Sequence, residues 1–209
     1  MLKLLFFILI VRPFLLLVTG VHIQGRNNLS TTESSILVAN HNSHLDTLIL
    51  MSLYPLNQLS KVRPIAAADY FLKNKWLAWF SLTVLGIIPL KRQDNADRSQ
   101  LFTDIKAALN QGHSVIIFPE GSRGEANTLA PFKSGIAHLA KDFPQTPVIP
   151  IYMHGTGKVL PKGEKLLVPF GIDVMIGKPL YYTAQTTKSD FMQHLEQSIR
   201  GLQQSLLGI

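Results

Sequence analysis

Ile36-Leu37-Val38-Ala39-Asn40-His41-Asn42-Ser43-His44-Leu45-Asp46-Thr47-Leu48-Ile49-Leu50-Met51-Ser52-Leu53 is the stretch on which the fold turns. Ile36 to Ala39 is a short apolar run after the polar stretch Asn27 to Ser35, and it reads as a buried strand. Thr47 to Leu53 reads as the helix that follows. Similar alternation continues along the chain. Leu101, Ile105 and Leu109 recur at helical spacing with Ala108 beside them, and Gly112 supplies a stop. Val115 to Phe118 is a strand closed by Pro119. Ile136 to Ala140 is helical, and Pro147 to Tyr152 and Val174 to Ile176 are strands. From Ser189, a plausible cap, the tail is amphipathic, with Phe191, Leu195, Ile199, Leu202 and Leu206 on one stripe. Strands alternating with helices predict an α/β layered domain, with a mixed, largely parallel sheet flanked by helices.

Two apolar blocks stand apart. Leu4 to Val11 and Phe14 to Val18 are unbroken runs separated by Arg12 and Pro13. A spanning helix needs about 20 apolar residues, and here a charge and a proline sit near the middle. A signal peptide is one reading, with Lys3 as its basic start, but no A-x-A cleavage site follows. A buried core helix is another. The preferred reading is an uncleaved, membrane-associated helical segment over residues 1–24 that inserts into one leaflet or kinks at Pro13. Residues 25–209 then form the catalytic domain. Trp76 to Leu85 is too short to span. It is either a core helix leading into a strand at Ile87 to Leu90, or a wall that contacts membrane or acyl chains.

The 209 residues suit one compact domain plus a short appendage. Hydrophobic residues make up 46% and charged residues 16%, which is too mixed for a multi-span membrane protein. A net charge of +7 favours polyanions such as acidic lipid or a phosphorylated substrate. No basic run or RNA-binding signature points to nucleic acid. The absence of cysteine excludes disulfides, thiolate metal sites and a cysteine nucleophile.

Chemistry concentrates where strands end. His41 lies just beyond the strand at Ile36 to Ala39, at the sheet edge where open α/β folds bind ligands. Asp46 falls in the first turn of the next helix, where the dipole favours a carboxylate. A tight turn could bring that carboxylate onto the imidazole, fixing its tautomer as a general base requires. By itself this spacing also suits an ordinary loop. Phe118-Pro119-Glu120-Gly121-Ser122-Arg123-Gly124 follows a second apolar strand. Its glycines permit close backbone approach and Arg123 offers a planar fork for phosphate, although Gly, Pro and Ser also make plain turns. A third strand delivers Lys91 and Arg92 to its end, where a solvated basic turn is the bland alternative.

Taken together, Asn40-His41 with Asp46, Gly86 with Arg92, Phe118 to Arg123, and the proline-bearing strand around Pro150 resemble the four ordered blocks of the glycerolipid acyltransferase family. That family includes bacterial 1-acyl-glycerol-3-phosphate acyltransferase. Phe132-Lys133-Ser134-Gly135 and Leu160-Pro161-Lys162-Gly163 look similar too, so the resemblance covers roughly Gly20 to Leu180. It implies an O-acyltransferase with His41 and Asp46 as catalytic residues, and Arg92, Glu120, Gly121, Ser122 and Arg123 binding substrate. It implies no metal and no cofactor, with acyl-CoA or acyl carrier protein as co-substrate and a lysophospholipid acceptor. The acceptor is most simply 1-acyl-glycerol-3-phosphate, giving phosphatidic acid; another lysolipid is the alternative. The protein would act as a monotopic enzyme on the cytoplasmic face of the bacterial inner membrane. A metallohydrolase using His41, His44 and Asp46, completed by His113, His138 or His154, is the rival from another class. It leaves Phe118 to Arg123 unexplained.

Overall fold

The computed structural model describes residues 1–71, 74–90, 102–125, 128–159, 168 and 170–208. Arg92, with Lys91, and the Leu160 to Gly163 stretch lie outside them. Seven strands form one sheet in the order β1-β7-β6-β2-β5-β3-β4. They are β1 (Val21–Gln24), β2 (Ile36–Ala39), β3 (Val62–Ala67), β4 (Ile88–Leu90), β5 (Ser114–Ile117), β6 (Val148–His154) and β7 (Ile172–Ile176). The five strands β6-β2-β5-β3-β4 run parallel. β7 is antiparallel to β6, and β1 is parallel to β7. The sheet is therefore mixed and mostly parallel, as the sequence predicts.

Helices cover both faces. Helix α1 occupies residues 2–18, as Leu2–Phe6, a π-helical turn Phe7–Val11, and Arg12–Val18. With α2 (Leu45–Ser52) it packs Phe7, Val11, Leu15, Ile49 and Leu50 against Leu37 and Ala39 of β2. On the other face, α4 (Thr103–Asn110), α5 (Gly135–Asp142) and α6 (Lys188–Leu207) pack Ile105, Leu139, Leu195 and Ile199 against Ile36 and Val38. The period of two along β2 sends alternate residues to opposite cores, so all four are buried.

The expected break at Arg12-Pro13 takes another form. The chain stays helical through Pro13, which cannot donate to the residue four before it. The π geometry of Phe7–Val11 just upstream accommodates that gap. Among the described residues no helix is long and apolar enough to cross a membrane. The block after Asn74 forms α3 (residues 75–85), α-helical over Lys75–Trp79 and π-helical over Phe80–Leu85. Asn74 caps it, accepting from the Trp76 and Leu77 amides. α3 packs on α1, with the Phe6 and Phe80 rings edge to face at 5.1 Å. The cap of α6 is Thr187, not Ser189. Its hydroxyl accepts from the Asp190 amide while the Asp190 carboxylate accepts from the Thr187 amide, the reciprocal pair that Ser189 has no partner to make.

Candidate active site

Two neighbouring parallel strands deliver the site. β2 and β5 pair with Val38 opposite Ile117, so the residues that follow each strand leave the same carboxyl edge side by side. From β2 come Asn40 and His41; from β5 come Phe118 to Arg123. Met153, in β6 on the other side of β2, ties down the first of these. Its amide donates to Asn40 Oδ1 at 2.7 Å and its carbonyl accepts from Asn40 Nδ2 at 2.9 Å. Asn40 thus closes both halves of its amide on one backbone unit. It spends its remaining donor on Asn42 Oδ1 at 2.7 Å.

The turn from His41 into α2 folds around one carboxylate. Asp46 is fully buried, and its Oδ2 accepts from the amides of Asn42 (2.7 Å) and Ser43 (2.8 Å). The same oxygen lies 2.9 Å from His41 Nδ1. Because Oδ2 is an acceptor, Nδ1 carries a proton, and in the neutral ring the lone pair then falls on Nε2. The ring stacks on Phe118, with centroids 4.0 Å apart and planes inclined by 14°.

The His41 backbone is gripped from the second loop. Its amide donates to Glu120 Oε1 at 2.9 Å, and its carbonyl accepts from the Gly124 amide at 2.8 Å. Glu120 Oε2 takes the Ala130 amide at 3.2 Å. Glu120 is buried, which raises the pKa of its carboxyl above the usual range, against the two amide bonds and the nearby His41, which lower it. Gly121 turns the loop at φ +74°. A side chain there would run into Lys133, whose Nζ lies 2.6 Å from the Cβ position.

His41, His44, Gly121, Ser122 and Arg123 face a cavity of about 460 Å³. The rest of its wall is largely apolar, supplied by Phe6 of α1, Leu77, Phe80 and Leu85 of α3, Ile65 of β3 and Phe118. This is the size and character of a small-molecule or lipid-chain site. His44 sits at the start of α2. Its pKa is lowered by burial and then by the charges of Arg123 and His41, against the pull of Asp46, so the imidazole is held towards its neutral form.

The structure thus brings together His41, Asp46, Glu120, Gly121, Ser122 and Arg123. Glu120 does not line the cavity; both its oxygens are spent on backbone amides. Two contributors have no role in the sequence reading. Asn40 belongs to the first block but carries no reactive group. Phe6 sits in the segment read as an anchor, and nothing local ties it to the site. The donors invoked for a metal do not converge. Among the described residues no group of three metal-ligating side chains forms. His138 contacts Lys188 on the far face, and His113 precedes the opposite end of β5.

Comparison with known proteins gives concordant results. A family model described as Acyltransferase matches residues 20–154. A chloroplastic 1-acyl-sn-glycerol-3-phosphate acyltransferase of Brassica napus is 34% identical over 161 residues, 76% of this chain and 44% of that protein. The mouse 1-acyl-sn-glycerol-3-phosphate acyltransferase alpha is 30% identical over 146 residues, 69% of this chain and 49% of that protein. The chain therefore spans less than half the length of these curated relatives. The crystal structure of a 1-acyl-sn-glycerophosphate acyltransferase from Thermotoga maritima superposes with a TM-score of 0.75 at 24% identity. It covers 93% of this chain and 75% of that one, and shares the fold.

Proposed function

Since the chain belongs to the acyltransferase family, we propose that it transfers a fatty acyl group from acyl-CoA or acyl carrier protein to the free hydroxyl of a lysophospholipid. The acceptor is 1-acyl-glycerol-3-phosphate and the product phosphatidic acid. The observation that carries this reading is the buried Asp46 carboxylate on His41 Nδ1, which leaves Nε2 free at a largely apolar cavity. His41 Nε2 takes the proton of the acceptor hydroxyl, and the oxygen attacks the thioester carbonyl. The tetrahedral adduct collapses by breaking the C–S bond, and the imidazolium returns its proton to the departing thiolate. The thioester is already activated, so no enzyme-bound acyl intermediate is required.

Arg123, on the cavity wall, holds the acceptor phosphate, and Arg92 is assigned to it from the sequence. Fixing the phosphate positions the hydroxyl, which can matter as much as the base itself. Glu120 serves by holding the loop against His41, while Gly121 and Ser122 shape the wall. The apolar remainder of the cavity takes acyl chain.

The protein works at a membrane surface. Leu9, Leu16 and Leu17 of α1 and Trp76 and Trp79 of α3 are exposed on helices that pack side by side. Soluble proteins do not ordinarily leave so much contiguous apolar surface to water. The net charge of +7 adds attraction to anionic lipid. We place the enzyme as a monotopic protein on the cytoplasmic face of the bacterial inner membrane, where acyl thioesters are made.

Mass spectrometry of products from a panel of lysolipids, with acyl-CoA and acyl carrier protein as donors, tests the assignment. Phosphatidic acid should form in wild type and in EDTA, and vanish with His41→Ala. Preferred acylation of a phosphate-free or diester acceptor would move the assignment to another lysolipid. Loss of activity in EDTA would revive the metallohydrolase.

A further inference from the structure

At the edge of the sheet opposite His41, basic side chains converge where α1 begins and α3 ends. Lys3 Nζ donates to the Val62 carbonyl at 2.8 Å, and Arg63 Nε donates to the Gly86 carbonyl. Gly86 ends α3 in the left-handed region, φ +69°. The point that a Cβ on Gly86 would occupy lies 3.2 Å from Lys3 Nζ and 3.4 Å from Arg63 Nε. Two cations therefore approach one point beside the Gly86 backbone, and a side chain there would crowd both. Val62 pairs with Ser114, so His113 and Lys61 emerge beside each other at the same edge. His113 Nδ1 is buried with no hydrogen-bond partner.

The electrostatics agree with this geometry. Burial and then the Arg63 charge lower the Lys3 pKa to about 8. Burial lowers that of His113, with Arg63, Lys3 and Lys61 adding to it. No carboxylate figures among the influences on Lys3, Arg63 or His113. Among the described residues, Asp104 shares with Arg63 and Gln111 a hollow of about 230 Å³, and Arg63 is the one cation of the group that lines it. Each cation has one carbonyl acceptor among its contacts and keeps further N–H donors. Like charges gathered in partly buried space are held at a cost that a bound anion relieves.

We propose that Lys3, Arg63 and the space beside Gly86, with His113 at its margin, form a second anion site that holds the phosphodiester of a membrane lipid headgroup. Phosphate oxygens match the guanidinium fork and the ammonium together. The site lies where the ends of α1 and α3 meet, and these are the helices with exposed apolar faces; the choice of a lipid rests on the membrane-facing reading above. The lipid held here is a docking ligand and not the substrate.

His113 is the reporter, read by NMR titration of its ring in the full-length protein. The probes are short-chain phosphatidylglycerol below its micellar concentration, octyl glucoside and inorganic phosphate. Phosphatidylglycerol should raise the His113 titration point by offsetting the charges of Arg63 and Lys3, and octyl glucoside should leave it unchanged. Arg63→Gln and Lys3→Gln each keep a donor for the carbonyl and remove a charge. Each should abolish the shift and cut binding to phosphatidylglycerol vesicles by about fivefold, with circular dichroism and activity on dispersed acceptor unchanged. A His113 titration unmoved by phosphatidylglycerol, or a shift that survives both substitutions, would overturn the site. An equal shift with inorganic phosphate would make it a free-anion site and overturn the lipid. Wild-type protein that binds no vesicles would sink the membrane reading separately, since the soluble-lipid titration still decides the site.

Discussion

Phe118 lies ring on ring against His41 at 4.0 Å, while Asp46 holds the edge of the same imidazole at 2.9 Å. The stack sets the plane of the ring and the carboxylate sets its rotation within that plane. An imidazole held on both counts is oriented before any substrate arrives. Phe118→Leu keeps an apolar side chain at the strand end and removes the flat support. It should lower kcat, by up to roughly 10²-fold if the ring shifts by an ångström, with little effect on the unfolding midpoint. His41→Ala should cost about 10²–10⁴-fold, because proton transfer itself is lost. Steady-state kinetics on dispersed acceptor compares the two; equal, wild-type rates for Phe118→Leu would mean the stack is only packing.

Asp46→Asn separates charge from geometry. An asparagine Oδ1 can still accept from the Asn42 and Ser43 amides, so the turn should persist. The same oxygen stays against His41 Nδ1 and can still accept from it, while the new N–H₂ falls where Asp46 Oδ1 stands. The change removes the negative charge that stabilises the imidazolium formed when the ring takes a proton. Loss should be on the order of 10²–10⁴-fold in kcat, with wild-type folding by circular dichroism. Activity near wild type would show that the Asp46 charge contributes little and that its hydrogen bonds suffice.

Glu120 reaches no cavity, yet its two oxygens hold the amides of His41 and Ala130. Glu120→Gln turns one acceptor into a donor facing an amide, leaving a buried group unsatisfied at about 1–3 kcal/mol. Urea unfolding should report that loss. kcat should fall as the His41 backbone loosens, while the KM for a phosphate-bearing acceptor should rise little. A large KM effect with unchanged stability would instead put Glu120 on the substrate.

How much of this was legible in the sequence depends on where the information lies. Ile36–Ala39, Ser114–Ile117 and Val148–His154 are covered by helices on both faces, so they read as near-continuous apolar runs and were found within a few residues. β1 and β3 were not. Val21-His22-Ile23-Gln24 is an edge strand, half exposed, whose partner β7 lies far along the chain. Val62-Arg63-Pro64-Ile65 carries a charge and a proline, which argue against a strand locally. The charge is accommodated because Arg63 donates to the Gly86 carbonyl, and pairing with β4 begins at Ile65, past the proline. The pairing of His41 with Asp46 was legible because five residues of spacing and one tight turn are local facts. The role of Phe6 was not, since only the packing of α1 against α3 brings it to the cavity wall.

That packing bears on the amino-terminal helix. Phe7, Val11 and Leu15 are buried in the same core as β2 and α2. Each fully buried side chain of this kind contributes about 1.5–3 kcal/mol, and the total stability of a domain is only about 5–15 kcal/mol. Deleting residues 1–18 should therefore unfold or precipitate the protein and abolish reaction even on dispersed acceptor. Leu9→Ser with Leu16→Ser and Leu17→Ser alters only the exposed face. It should spare folding and dispersed-substrate kinetics while weakening vesicle flotation. A stable, active deletion would show that α1 is a removable anchor.

Lys3 gives the structure a measurable pH dependence. Its folded pKa is lowered to about 8, while in the unfolded chain it keeps the ordinary lysine value near 10.5. Between those values the unfolded chain binds more protons than the folded one, so stability rises with pH across that window. Below about pH 8 both states are protonated, and the penalty of the buried charge is constant. Lys3→Gln removes the titration. Its urea midpoint should be closest to, or above, that of wild type at pH 7, and should fall behind as pH climbs to 10. Parallel midpoints over that range would show that Lys3 titrates normally. Short-chain phosphatidylglycerol supplies the second half of the test. A phosphodiester bound between Lys3 and Arg63 favours the charged ammonium, so it should raise the folded pKa and narrow the window from below. The wild-type rise in stability should then begin at higher pH with the lipid present, and the Lys3→Gln curve should not move.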